Sequence, residues 1–153
     1  MKKLLCVSLL LLMLISPALA APQLSDSLFE AAKQAAECLV TGDYEALTRM
    51  PFSGDAPGAD EWAAFAASFS TRDYAQRDYA VGYWLDDSWR IAVPLRAPER
   101  DDVEVLLLAS DDGFSFSGYR YARWGQVEQE YVSSAHVVWN SEFVPAAPRL
   151  FAD

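Results

Sequence analysis

The sequence predicts an α+β fold in which N-terminal helices pack on a curved antiparallel sheet, and three observations carry the prediction. From Tyr79 to Trp124 apolar and polar side chains alternate with the period of two that belongs to a strand. Turn residues interrupt that alternation at intervals, as a meander requires. From Ser27 to Phe69 the apolar positions recur every three to four residues, the period of a helix.

In the first strand Tyr79, Val81, Tyr83 and Leu85 alternate with Ala80, Gly82 and Trp84, and Asp86-Asp87-Ser88 ends the run. In the second, Trp89, Ile91, Val93 and Leu95 alternate with Arg90, Ala92, Pro94 and Arg96, the pattern of a half-buried strand with one wet face. Pro94 has no N–H to give a ladder, so this strand is expected at an edge, or with its imide nitrogen turned away from a neighbour. After the polar stretch Ala97 to Asp102, the run Val103 to Leu108 is apolar enough to be central. Asp112-Gly113 suits a tight hairpin. The last strand is expected from Phe114 to Trp124, with a bulge or bend at Gly118, where the aromatic phase shifts.

Ahead of the sheet, Ser27 to Val40 places Leu28, Ala32, Ala35, Ala36, Leu39 and Val40 on one side and Glu30, Lys33, Gln34 and Glu37 towards the other. Ser27 and Glu30 fit a capping box, and Gly42 suits the terminating left-handed position. Asp43 is placed to cap a short helix from Tyr44 to Met50, ended by Pro51. A third helix is expected from Asp60 to Phe69, with Trp62, Phe65, Ala66 and Phe69 as one core stripe. Beyond Trp124, Val127, Tyr131, Ala135, Val138 and Trp139 recur at helical spacing, which favours helix. Val132, Val137 and the Ser133-Ser134 pair favour a strand beginning near Tyr131 instead.

The N-terminus reads as a targeting segment. Met1-Lys2-Lys3 is basic, Leu4 to Ile15 is apolar, and Ala18-Leu19-Ala20 is a small-residue cleavage site, so residues 1–20 are expected to be a signal peptide. The apolar run is shorter than the roughly 20 residues of a spanning helix. Cys6 lies within it and lacks a lipid-attachment context. The expected product is secreted or periplasmic, with a single domain over 21–144, a tail over 145–153, and no membrane span after cleavage.

Cleavage takes the formal charge from −10 to −12 and leaves Lys33 as the last lysine. Such a chain repels phosphate backbones, so nucleic acid is not an expected partner. A cationic ligand or basic protein would be attracted, while the same charge also serves solubility. Cys38 is the one cysteine left, either buried or bridging between molecules. His136 is the one histidine; Ser133 and Ser134 lack a nucleophile-elbow context, and no zinc set or phosphate loop can be assembled. No cofactor or metal is expected. Asp86-Asp87 and Asp111-Asp112 fall at the same end of a meander, but without a spaced calcium loop they read as solvated turns.

A helix, a short helix introduced by Gly42-Asp43-Tyr44-Glu45-Ala46-Leu47, another helix and a twisted meander together resemble the nuclear transport factor two-like superfold, also called cystatin-like. That group includes ketosteroid isomerases, polyketide cyclases and secreted bacterial modules. The resemblance covers Leu24 to Trp124. It implies a sheet curled around the long first helix into a cone whose mouth can bind a small molecule. It also implies a C-terminal strand, from which a helix over Val127 to Trp139 would depart, and it leaves a homodimer open.

Isomerase-like members of that group need a carboxylate base and an oxyanion-stabilising donor in an apolar pocket. Tyr74, Tyr79, Tyr83, Tyr119, Tyr121 and Tyr131 are candidate donors. Asp73 and Asp78 are candidate bases, or else solvated residues at a strand's start. The functional expectation is a secreted, non-catalytic binding or accessory module of the cell envelope, taking a small molecule or a protein. Its contacts would come from Tyr79, Tyr83, Trp84, Tyr119 and Tyr121, in an aromatic pocket between sheet and helices or on an exposed sheet face. The alternative is a small isomerase- or cyclase-like enzyme using a pocket carboxylate and a tyrosine. A third reading is an inhibitor or effector presenting acidic turns to a basic partner. A desolvated carboxylate within hydrogen-bond reach of a tyrosine hydroxyl, inside a pocket, would favour the enzyme.

Overall fold

The computed structural model describes residues 21–70, 74–76, 79–97 and 102–140. The expected signal peptide, the tail over 145–153, and Asp73 and Asp78 lie outside the described residues.

Helix α1 (Asp26–Thr41) is capped two residues earlier than the Ser27 box predicts: Ser25 Oγ accepts the Leu28 N–H at 3.2 Å. Glu30 pairs with Lys33 at 2.8 Å instead. Gly42, at φ 77°, closes the helix as expected. Asp43 caps α2 (Tyr44–Leu47) by accepting the Ala46 N–H at 3.1 Å. In α3 (Ala59–Ala66) the Glu61 carboxylate turns back to the Gly58 N–H at 3.0 Å. The helix stops short of Phe69, and the chain tightens into turns through Ser68 N–H to Phe65 O and Phe69 N–H to Ala66 O.

The strands are β1 (Ala75–Gln76), β2 (Ala80–Leu85), β3 (Ser88–Arg96), β4 (Val103–Ser110), β5 (Gly118–Arg123) and, after helix α4 (Trp124–Ser133), β6 (Val137–Asn140). The sheet order is β5-β4-β3-β2-β6, every pair antiparallel, with β1 joining β3. The protein is therefore α+β, with helices packed on an antiparallel sheet.

Four expectations change. First, β3 is central. Pro94 pairs with Val105 on one side, and on the other the ladder breaks between Gln76↔Leu95 and Val81↔Ala92, so the residue without an N–H sits at a gap between two partner strands. Second, residues 124–140 are helix and then strand: the Ser133-Ser134 pair ends α4, and Ser134 Oγ donates to Trp84 O at 2.8 Å, leading β6 onto the β2 edge. Trp124 opens α4 and does not close β5. Third, Asp112-Gly113 is no two-residue hairpin. The loop from Asp111 to Ser117 is wound around Asp112, which accepts the N–H groups of Phe114 and Ser115, both at 2.8 Å. Gly118 pairs in register with Ala109, without a bulge. The two-residue turn lies instead at Asp86 and Asp87, with φ of 50° and 57°, the left-handed pair that suits a hairpin and that aspartate tolerates.

Fourth, neither sheet face is wet along β3 except at half-buried Arg90 and Arg96. Helices α1 to α3 cover Ile91, Val93, Leu95, Leu106 and Leu108 with Leu28, Phe29 and Trp62. Helix α4 covers Val81, Tyr83, Ala92, Val105 and Leu107 with Val127 and Tyr131. Burial on both faces is why β4 reads as a continuous apolar run. Gly82 lets α1 sit down on the first face: a Cβ there would meet Leu24 Cδ2 at 2.5 Å and Phe29 Cζ at 2.8 Å.

Candidate functional site

The alternation of strand side chains divides the candidate residues between the two faces. Tyr79 lies against Trp124 and Trp139, and Tyr83 against Tyr131, all on the α4 side. Trp84, Tyr119 and Tyr121 lie on the side of α1 to α3. No one pocket holds all five. Nor is Trp84 on an open sheet face: it is half-buried, its ring 5.6 Å from that of Trp89, whose indole N–H donates to Pro22 O at 2.8 Å. Tyr119 is enclosed by Trp62, Phe65 and Phe52, with ring centroids 4.3, 4.8 and 6.3 Å away.

Where the cone reading places a ligand, between α1 and the sheet, the molecule's own side chains stand. Leu28, Phe29, Trp62 and Phe116 are all essentially inaccessible. A cleft of about 80 Å³ remains beside the end of α1, lined by Val40, Gly42, Tyr44, Ala66, Phe69 and Tyr74. It is well below the roughly 300 Å³ at which small-molecule sites begin.

A carboxylate–tyrosine pair does exist on this side, at a residue the sequence reading passed over. Glu104 is 3% exposed and accepts Tyr121 OH at 2.7 Å, Ser70 Oγ at 2.6 Å and the Ser70 N–H at 3.0 Å. The Ser70 N–H also reaches Tyr74 OH at 3.2 Å. Burial pushes the Glu104 carboxyl up, but the bonds from Ser70 and Tyr121 and the nearby Arg123 charge outweigh it and hold the group below its ordinary range. A carboxylate so fully engaged is a weak base. The signal was one glutamate in the otherwise apolar Val103 to Leu108 run, where a charge must be either outward or fully bonded.

A second constellation lies on the α4 side. Tyr83 OH donates to Glu130 Oε2 at 2.5 Å, and Arg120 Nη2 reaches both Glu130 oxygens, at 2.9 and 3.2 Å. Burial, then the bond to Glu130 and its charge, push the Tyr83 phenol far up, so this hydroxyl stays protonated. Beside it runs an open groove of about 190 Å³, floored by Leu107, Ala109 and Gly118 and bordered by Arg90, Tyr119 and Arg120.

The remaining candidates are spread apart. His136 is exposed and offers its carbonyl to Trp84 N–H at 3.0 Å. The Asp112 carboxyl, held to about 2 by bonds from Phe114 N–H, the Ser115 hydroxyl and Ser115 N–H, is committed to its own loop. Among the described residues no three His, Cys, Asp or Glu side chains gather as a metal set, and no helix is long and apolar enough to cross a membrane. Compared with known proteins, the chain matches no family model, no curated protein and no solved structure.

Proposed function

We propose that this chain is a non-catalytic binding module of the cell envelope, secreted or periplasmic after cleavage behind Ala20, and that its fold is of the nuclear transport factor two-like, cystatin-like kind. The order of α1 to α3 ahead of the meander, and β6 as a closing strand, support the fold assignment. The observation that carries the functional reading is the filled space between α1 and the sheet, where Glu104, the one buried carboxylate among the described residues, is saturated by Ser70 and Tyr121. An isomerase-like site needs room for substrate beside a basic carboxylate. Among the described residues neither is present there, which favours recognition at the outer surfaces.

The test is a thermal-shift screen of small metabolites with the purified protein, each mixture then analysed by mass spectrometry. A ligand that binds the folded state raises the melting temperature by mass action. The expected outcome is that such ligands are recovered unchanged. Turnover of a bound compound that disappears in Glu104→Gln would overturn the reading in favour of the isomerase- or cyclase-like enzyme.

A further inference from the structure

We propose that the groove over Leu107, Ala109 and Gly118 is a binding site for a small carboxylate with a short apolar body, anchored by Arg90 and Arg120. The proposal rests on the binding-module reading and deepens it by naming a site and a ligand class.

The groove arises from register. Arg90, Ala109 and Gly118 stand in one cross-strand row, and Leu107 and Arg120 in the next, on the α4 side of the sheet. Arg90 and Arg120 therefore border small and apolar neighbours from opposite sides. Ala109 and Gly118 supply almost no side chain, which is why about 190 Å³ stays open here. That space is also below the roughly 300 Å³ of a drug-sized site, so it suits only a ligand of a few carbon atoms, for which Leu107 and Ala109 give an apolar floor.

Charge selects the ligand's head. Arg90 is half-buried and makes no hydrogen bond or ion pair among the described residues. A half-desolvated guanidinium with no direct ion-pair partner gains more from an anion than an exposed one does. Arg120 is already engaged by Glu130, which Tyr83 holds in place. The local sum of Arg90, Arg120 and Glu130 is one positive charge, set in a chain whose formal charge is −10. A monoanion neutralises it. A phosphate dianion would exceed it, and an acidic protein surface would meet the long-range repulsion of the whole chain. The planar fork of Arg90 matches the two oxygens of a carboxylate.

The experiment is an amide and arginine side-chain NMR titration of the purified protein with butyrate, benzoate, n-butanol and inorganic phosphate. Butyrate and benzoate are expected to bind in the millimolar range, as fits ligands of so few atoms, and to shift Leu107, Ala109, Gly118 and the Arg90 side chain. Arg90→Met, which keeps the buried stem, should weaken binding at least about tenfold. Glu130→Gln should strengthen it severalfold by freeing Arg120, an effect that loss of folding cannot imitate. Equal binding of n-butanol, tighter binding of phosphate than of butyrate, or unchanged affinity in both variants would each overturn the carboxylate site. Carboxylate binding that persists in Arg90→Met and maps elsewhere would overturn the site and leave the binding-module reading standing. Absence of any shift at tens of millimolar ligand would likewise sink the proposal alone.

Discussion

The Tyr121 hydroxyl and the Glu104 carboxylate meet at 2.7 Å across the β4–β5 pair, as diagonal neighbours of the Leu106↔Tyr121 and Glu104↔Arg123 rungs. With Ser70 donating twice more, this bond ties the chain after α3 to the sheet. Replacing Glu104 by Gln should cost about 2–3 kcal/mol at neutral pH, the usual worth of bonds to a buried charge. The pH dependence has a definite sign. The folded carboxyl is held below its unfolded value, so the folded state binds fewer protons. The stabilisation is complete above the unfolded value near 4.3 and is lost as pH falls through the lower folded one. Urea melts at pH 7 and pH 3 should show the gap between native protein and Glu104→Gln narrowing in acid. A gap that stays constant would mean the carboxylate's charge contributes nothing.

Gly113 combines a φ of 78° with a Cβ site only 2.2 Å from Gln23 O. The backbone of the segment before α1 crosses here, and Ser25 N–H donates to Gly113 O at 3.0 Å. Gly113→Ala should therefore cost at least about 2 kcal/mol, left-handed strain plus a backbone collision. Gly82→Ala meets the ends of the Leu24 and Phe29 side chains, which can turn aside, and should cost about 1–2 kcal/mol. Chemical denaturation of both variants checks the order. A milder effect at Gly113 would contradict it.

The parts that were legible in the sequence are those fixed by local chemistry. The Asp43 cap, the Gly42 stop and the strand period each depend on residues within a turn of one another. Register was not legible, because it depends on which residues face each other across strands. Alternation alone puts Tyr79 and Tyr83 on one face. That Tyr119 and Tyr121 take the other follows only from Leu108↔Tyr119 and Leu106↔Tyr121. For Pro94 the edge alternative fails and the other fits, since the residue sits at a gap between partner strands that a local pattern cannot locate. In residues 127–139 the two readings conflicted because each describes a different half. The Glu104 network and the Arg90–Arg120 groove both join residues distant in sequence, and no spacing rule announces them.

Trp62 is fully buried, and its indole N–H finds no hydrogen-bond partner among the described residues. Its ring nevertheless joins Tyr119, Phe52 and Phe65 in the largest aromatic cluster of the α1-side core. An unsatisfied buried donor costs about 1–3 kcal/mol, which offsets part of what the indole's packing contributes. Trp62→Phe removes the donor while keeping a ring, and should cost less than about 1.5 kcal/mol. Trp62→Ala empties the site and should cost about 3–5 kcal/mol. Equal losses in the two variants, by denaturant melts, would show that the polar atom is not a burden.

Cys38 decides how this chain behaves in an oxidising compartment. It is a free thiol, 8% exposed, on the α1 face that meets the core. Burial pushes its thiol up, and the Asp43 and Glu37 carboxylates add to the effect. Reaction with disulfides needs a thiolate and an approach path, and both are withheld here. The native protein at pH 7 should react with a thiol-specific aromatic disulfide at least about a hundredfold more slowly than the same chain in denaturant. Under oxidising conditions the purified protein should run as a monomer on non-reducing gels. Rapid labelling of the native state, or a covalent dimer lost in Cys38→Ser, would instead make Cys38 the bridge between two copies and move the contact surface to the end of α1.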